Sequence, residues 1–533
     1  MVASQNGHGD IVELLLEKNV PMNTQAKTGE TAIFLASQNG HSSVVSILLY
    51  NGANPNFASN EGATPLMVAS KNGHGDIVEL LLEKNVPINT QDKNGVTAVY
   101  IASCNGHSSV VSILLCNGAD PNLASNEGTT PLMLASQNGH GDIVELLLEK
   151  NVPINTQDKN GVTAVYIASH NGHSSVVSIL LCNGADPNLA SNEGTTPLML
   201  ASQNGHGDIV ELLLEKNVPI NTQDKNGVTT INFASQNGHS SVVSILLHNG
   251  ADPNLASNEG ATPLMLASQN GHGDIVKLLL EKNVPINTQA KGGVTAIALA
   301  SYNGHYSVVS ILLHNVADPN LARNDGATPL IVASQNGHDD IVELLLEKDV
   351  PINTQDKSGT TAIYMASQNG HYSVISTLLC NGADPNLART NGWTPLLIAS
   401  AAGHNEVVRE LLKTKVNINH QTPTGTTALH LSSQYGYENI VRQLLESGAN
   451  PLIKDTFGTT PQDIAHQEGH RNIVSLLREA NEDQESLVGS VESGYTTGGL
   501  SSDQSSVADS DIAQLSDLEE DDFDIKTNTC IQQ

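Results

Sequence analysis

Apolar residues along this chain come in two short bursts, separated by Gly-His and followed by a polar stretch. In "GTTPLMLASQNGHGDIVELLLEKNVPINTQDKN", which begins at Gly128, the first burst is Leu132, Leu134 and Ala135. The second is Ile143, Val144, Leu146, Leu147 and Leu148. The spacing predicts two short helices, the first with a narrow apolar face and a small Ala that lets the second approach. Thr130 is placed to cap the first helix, and Pro131 suits its first turn, where no backbone N–H is missed. Gly139 ends that helix by adopting positive φ, and Asp142 lies near the positive end of the second. "DKNG" supplies turn chemistry for a projecting hairpin. Neither helix can bury its apolar face alone, so neighbouring units must stack into a quasi-one-dimensional array.

The unit recurs without insertion or deletion. A Gly followed by His, or once by Tyr437, appears fifteen times from Gly7 to Gly469 at a constant spacing of 33 residues. A second Gly keeps the same step from Gly29 to Gly458. Thr-Pro-Leu, an Ala, Gly-His and a leucine-rich run at this period resemble the ankyrin repeat, over about residues 1–481. The resemblance implies an all-α solenoid of helix-turn-helix units with projecting hairpin loops. It also implies protein binding through a concave side made by the hairpin tips and first helices. The expected organisation is a truncated first repeat (1–27), an array of 14 complete repeats (28–481) ending in a polar cap, and a disordered acidic tail (482–533).

The sequence departs from the family where Thr-Pro-Leu-His is expected. The fourth position is Met67, Met133, Met199 or Met265 in one class of unit and Phe34, Tyr100, Asn232 or Ala298 in the other; His430 alone keeps the histidine. Hydrogen bonding between neighbouring repeats is therefore expected to be weaker, with apolar packing in its place. The recurrent Gly-His histidine reads as a structural hydrogen-bonding residue at the inter-helix turn, since stacked repeats offer no converging metal ligands.

Two unit types, "GHGDIVELLLEKNVPINTQ" and "GHSSVVSILLCNGADPNLA", alternate, so the duplicated element is 66 residues long. After the second helix one type carries Gly118 or Gly184 and the other an Asn such as Asn151, and both tolerate a left-handed conformation. Val316 occupies the glycine position, where a β-branched residue predicts strain or local rearrangement. The first unit begins at Met1, equivalent to Met67, without the finger Gly, Thr, Pro and Leu that open other units, which predicts further repeats or another domain upstream.

Composition narrows the function. Lys and Arg number 24 against 55 acidic residues, a net charge of −31, which argues against nucleic acid and anionic lipid as partners. Other proteins, basic or extended in kind, are the expected partners of a cytoplasmic monomer. No apolar run is long enough to span a membrane. The five cysteines (Cys104, Cys116, Cys182, Cys380 and Cys530) form neither a disulfide framework nor a metal spacing. No phosphate loop or zinc-helix motif occurs, no Ser-His pair has a unique acidic partner, and near-identical stacked surfaces make a poor enclosure for chemistry. A non-catalytic scaffold or adaptor without cofactor is the expected role. A mechanical or spacing segment, part of a larger signalling protein, is the alternative.

Variation gathers late in the array. Trp393, Tyr364, Tyr302, Tyr306, Tyr372 and Tyr435 are the candidate partner-binding residues, because interfaces concentrate energy in Trp and Tyr. Trp393 follows the finger glycine Gly392 where other units carry Ala63, Val96 or Thr129, and is expected to stand exposed on the binding side. In the acidic tail, Ser506 and Ser516 precede acids as kinase sites do. The terminal "CIQQ" has the bare form of a prenylation signal, but Gln532 and the acidic upstream region argue against lipidation of Cys530.

Overall fold

The computed structural model describes residues 1–489, with side chains to residue 482. The expectations placed on residues 490–533, including Ser506, Ser516, Cys530 and a disordered tail, lie outside them. The chain divides into two compact units, Met1–Pro285 and Ile286–Gln533. In the first, 18 α-helices from Val2–Gln5 to Gly273–Leu280 form nine helix-turn-helix pairs. In the second, 12 α-helices from Ala296–Tyr302 to Arg471–Gly489 form six. Within each unit every first helix packs on the next first helix and on its own second helix.

That double packing explains the burial pattern. In the helix Pro131–Gln137, every residue from Pro131 to Ser136 is buried and only the last is exposed. The second helix, Gly141–Leu148, faces solvent on one side, so only Ile143, Val144 and Leu147 are buried in it. Each such aliphatic side chain contributes about 1.5–3 kcal/mol of transfer free energy, which no isolated helix of this length could obtain. In the first pair the equivalent positions Ile11, Leu15 and Val20 are exposed, whereas Ile77, Leu81 and Val86 are buried.

The local signals act as read. Thr130 Oγ1 accepts from the Met133 N–H at 3.3 Å, and the same Thr–N-cap bond recurs from Thr31 to Thr460. Gly139 has φ 75° and Asn151 φ 54°. Val316 does take the left-handed conformation, at φ 67°, with its side chain 81 % exposed. Each finger closes as a hairpin, with the Asp92 N–H on the Val96 carbonyl at 3.0 Å, too short to make a named strand. Among the described residues one isolated bridge, Gln223 to Thr229, marks the pattern.

The Gly-His histidine joins neighbouring repeats. Nε2–H of His41 donates to the Gln5 carbonyl at 2.9 Å, and His173 to Gln137 and His404 to Gln368 repeat the bond at 2.9 Å. The ring also lies against the preceding repeat's glycine: a Cβ at Gly139 would sit 2.7 Å from His173. Gly139 is thus fixed by its positive φ and by the imidazole above it. At Gly403 the ring of Tyr437 fills the same place, 2.8 Å from where a Cβ would sit.

One expectation needs correction. The cross-repeat network is thinned in the Met units, where Met133 Sδ accepts from the N–H of its own Thr130 at 3.4 Å, and at the apolar Phe34, Ala298, Ile331 and Leu397, but not throughout. His430 bonds the Thr459 carbonyl of the next repeat at 3.2 Å, and Asn232 Nδ2 reaches the Ala261 carbonyl at 3.4 Å while its Oδ1 accepts from Thr229. Burial raises the pKa of the Tyr100 and Tyr166 hydroxyls, against the opposing effect of Ser125 and Ser191 in the following finger. Different side chains therefore face the same neighbouring finger. The last helix, Arg471–Gly489, is carried by helix-forming residues and an Arg478–Glu482 pair at 3.4 Å and i,i+4 spacing.

Candidate partner-binding surface

Adjacent fingers within a unit are joined rung by rung through the main chain. The Asn126 N–H donates to the Asn94 carbonyl at 2.8 Å and the Lys93 N–H to the Glu61 carbonyl at 3.1 Å, a step of 32 residues. Gln91 Nε2 ties its own finger at Gly95 (2.8 Å) to the next at Ala124 (3.3 Å). The ion pair Lys93–Glu61 at 3.8 Å adds little, because both side chains are well exposed. In the second unit Thr390 continues the ladder to Ser358 at 2.9 Å and Thr456 to Thr424 at 3.0 Å.

The ladder is interrupted at one place that the sequence marks. The next donor after Thr390 would be residue 423, and Pro423 has no N–H. His420 Nε2–H bonds the Gly392 carbonyl instead, at 3.0 Å. Pro423 Cδ lies where a Cβ on Gly392 would come within 2.6 Å, so only glycine fits beside it. Trp393 sits on this re-wired finger, paired through its carbonyl to the Arg389 N–H at 2.9 Å. Trp393 is half-buried, less open than the exposed position expected of it, while the equivalent Ala327 and Thr360 are buried outright.

Beneath the finger, Arg389 lies over the Tyr364 ring at 5.5 Å from its centroid. Tyr364 is only 2 % exposed, so this candidate belongs to the core and cannot meet a partner from the surface. It stands at the same register as Tyr100 and Tyr166, facing the following finger. Burial raises the pKa of its hydroxyl although the Arg389 charge and hydrogen bond oppose this.

The remaining four candidates do not lie on the fingers. Tyr302 ends the helix Ala296–Tyr302 and Tyr306 begins the helix Tyr306–His314, on either side of the inter-helix turn. Tyr372 begins the helix Tyr372–Cys380, and Tyr435 caps the end of Ala428–Gln434, its ring 6.1 Å from that of Tyr437. The fold therefore splits the predicted set between two edges of the second unit, with Trp393 alone on the finger side. Sequence reasoning passed over Arg389 and Pro423, whose roles depend on residues about one repeat away.

Among the described residues no group of three His, Cys, Asp or Glu side chains could hold a metal, and Cys104, Cys116, Cys182 and Cys380 are free thiols. No helix among them is long and apolar enough to cross a membrane.

Stacked pairs of short helices joined by hairpin fingers define a helical-repeat protein. The ankyrin-repeat family model, described as ankyrin repeats in three copies, matches residues 1–92, 48–125, 84–158, 151–224, 166–257, 231–323, 297–389, 377–455 and 424–487. The chain belongs to the ankyrin-repeat family, whose members generally mediate protein–protein interaction. No curated protein matches it significantly.

Proposed function

We propose that this chain is a non-catalytic scaffold that holds a partner protein on the finger and first-helix side of the unit Ile286–Gln533, with Trp393 as the anchoring side chain. The observation that carries this reading is the Trp393 finger. A partly buried Trp stands there in place of the small or β-branched residues of other units, on the finger where Pro423 removes a main-chain rung. Large aromatic side chains in partly desolvated positions supply most interface energy. The free thiols Cys104, Cys116, Cys182 and Cys380 support a cytoplasmic setting.

A second role, as a spacer, is favoured for the unit Met1–Pro285. Its fingers alternate between "NTQDKNGVT" and "NLASNEGTT" with almost no variation, which offers a partner no distinguishable position. The test uses the full chain carrying Trp393→Thr, the residue that Thr426 supplies at the same register. Quantitative affinity capture followed by mass spectrometry is expected to show loss of the specifically recovered partner. Unchanged recovery by a folded variant would overturn the assignment of Trp393.

A further inference from the structure

The first residue of each second helix lies in one register, and its contents change abruptly along the chain. In the unit Met1–Pro285 it is Gly or Ser, as at Gly75, Ser108, Gly141 and Ser174. In the unit Ile286–Gln533 the series begins Tyr306, Asp339, Tyr372. Side chains at this register lean on the second helix of the following repeat. A Cβ at Gly75 would lie 3.4 Å from Ile113, and Asp339 Oδ1 accepts from Thr377 Oγ1 at 2.7 Å. The three residues therefore form a row along the inter-helix turn edge, which is not the edge that carries Trp393.

Tyr306 and Tyr372 are 45 % and 41 % exposed, so both are within reach of a partner from solvent. The fold does not require an aromatic residue at either place, since Ser serves the same backbone at Ser42, Ser108, Ser174 and Ser240. Between them lie Asp339 and the exposed Asp340 and Glu343. An aromatic face attracts a cation through its quadrupole, and the intervening carboxylates add to that attraction. Neighbouring helices pack about 8–10 Å apart, which puts the two rings roughly 16–20 Å apart across the intervening repeat.

We propose that the Tyr306–Asp339–Tyr372 row is a docking ledge for an extended, arginine-bearing segment of a partner protein, with one guanidinium on each ring and the acids between. An extended chain rises about 3.3 Å per residue, so arginines about six residues apart match the two rings. The charge of the ledge and of the whole chain, −31, excludes an acidic occupant. The proposal rests on the protein-binding reading of the chain but not on Trp393.

The test measures fluorescence anisotropy of a labelled Arg-Gly-Ser-Gly-Ser-Gly-Arg peptide titrated with the full chain at low ionic strength. Wild type is expected to bind it more tightly than the isomer with adjacent arginines. Tyr306→Ser with Tyr372→Ser together should weaken binding about tenfold, the product of two exposed cation–π contacts. These substitutions restore the residue that equivalent repeats already carry and leave net charge unchanged, so the loss would report the rings. Trp393→Thr should leave peptide binding intact, which separates this ledge from the finger site. Equal binding by wild type and the double variant would show attraction by bulk charge and overturn the proposal. Equal binding of the two peptide isomers, or no binding at all, would overturn it too.

Discussion

Val316 offers a direct measurement of what the left-handed position after the second helix costs. Its φ of 67° is in a region where an L-residue loses about 1–2 kcal/mol through the contact of Cβ with the backbone, and about 1.5 kcal/mol is the working value for Val. The side chain is 81 % exposed, so its removal forfeits little buried area. At the equivalent Gly118, Gly184, Gly250 and Gly382 nothing lies within 4 Å of a would-be Cβ, so the cost is backbone strain and not collision. Val316→Gly removes that strain but adds about 0.4–1 kcal/mol of unfolded-state entropy. The balance is a gain of about 0.5–1 kcal/mol. Urea unfolding can be followed through Trp393, the single tryptophan, which lies in the same unit. With a slope of about 2 kcal/mol/M the midpoint should rise by roughly 0.25–0.5 M. Val316→Asn should gain a similar amount, because Asn151 and its equivalents hold φ near 54°. Val316→Ala should gain less, since it keeps the Cβ. An unchanged or lower midpoint for Val316→Gly, or equal gains for Ala and Gly, would refute the strain argument.

Two further predictions concern the buried polar groups. Ser334 and Ser400 are fully buried with no hydrogen-bond partner, whereas Ser367 bonds the Ile363 carbonyl at 2.7 Å. Ser334→Ala and Ser400→Ala should each raise stability by about 0.5–1 kcal/mol in urea unfolding, additively, while Ser367→Ala stays near neutral; a uniform response of all three would contradict this. Burial lowers the pKa of His430 below its ordinary 6.5, although the Thr459 carbonyl partly offsets this. The unfolded chain then binds a proton that the folded one refuses, so stability is held above about pH 6.5 and falls as pH drops toward the lower folded value. His430→Asn keeps the bonding that Asn232 exemplifies and should shrink the drop in urea midpoint between pH 7.5 and 5.5; a variant as pH-sensitive as wild type would exclude His430 as the cause.

The candidate surface was legible only in part. Trp393 announced itself because its register is otherwise small or β-branched, and that signal is local. Tyr364 gave the same signal and is buried, because a residue at its register turns toward the next finger, where Arg389 covers it. Tyr306 and Tyr372 stand out in the sequence only as aromatic residues gathered late in the array. The helix-turn-helix geometry sets them on the inter-helix turn edge, away from the finger that carries Trp393. Asn232 looked like a lost interaction. A short amide at the N3 position can nevertheless satisfy the cap and still reach the neighbouring finger.

Sequence alone determined whatever is settled within a few residues of chain. The helix pairs follow from Thr caps, from Pro at the first turn and from Gly or Asn at positive φ. The stacking direction follows from apolar faces that short helices cannot bury alone. Tertiary structure decided what depends on residues about one repeat apart, from 25 to 38 positions away. It laid each imidazole on the preceding glycine and left the Trp393 finger without a rung opposite Pro423. It also put Arg389 over Tyr364 and exposed two tyrosines along the turn edge. Such contacts join positions that are remote in sequence and adjacent only after stacking, and the identity of one residue carries no record of the other until the repeat spacing brings them together.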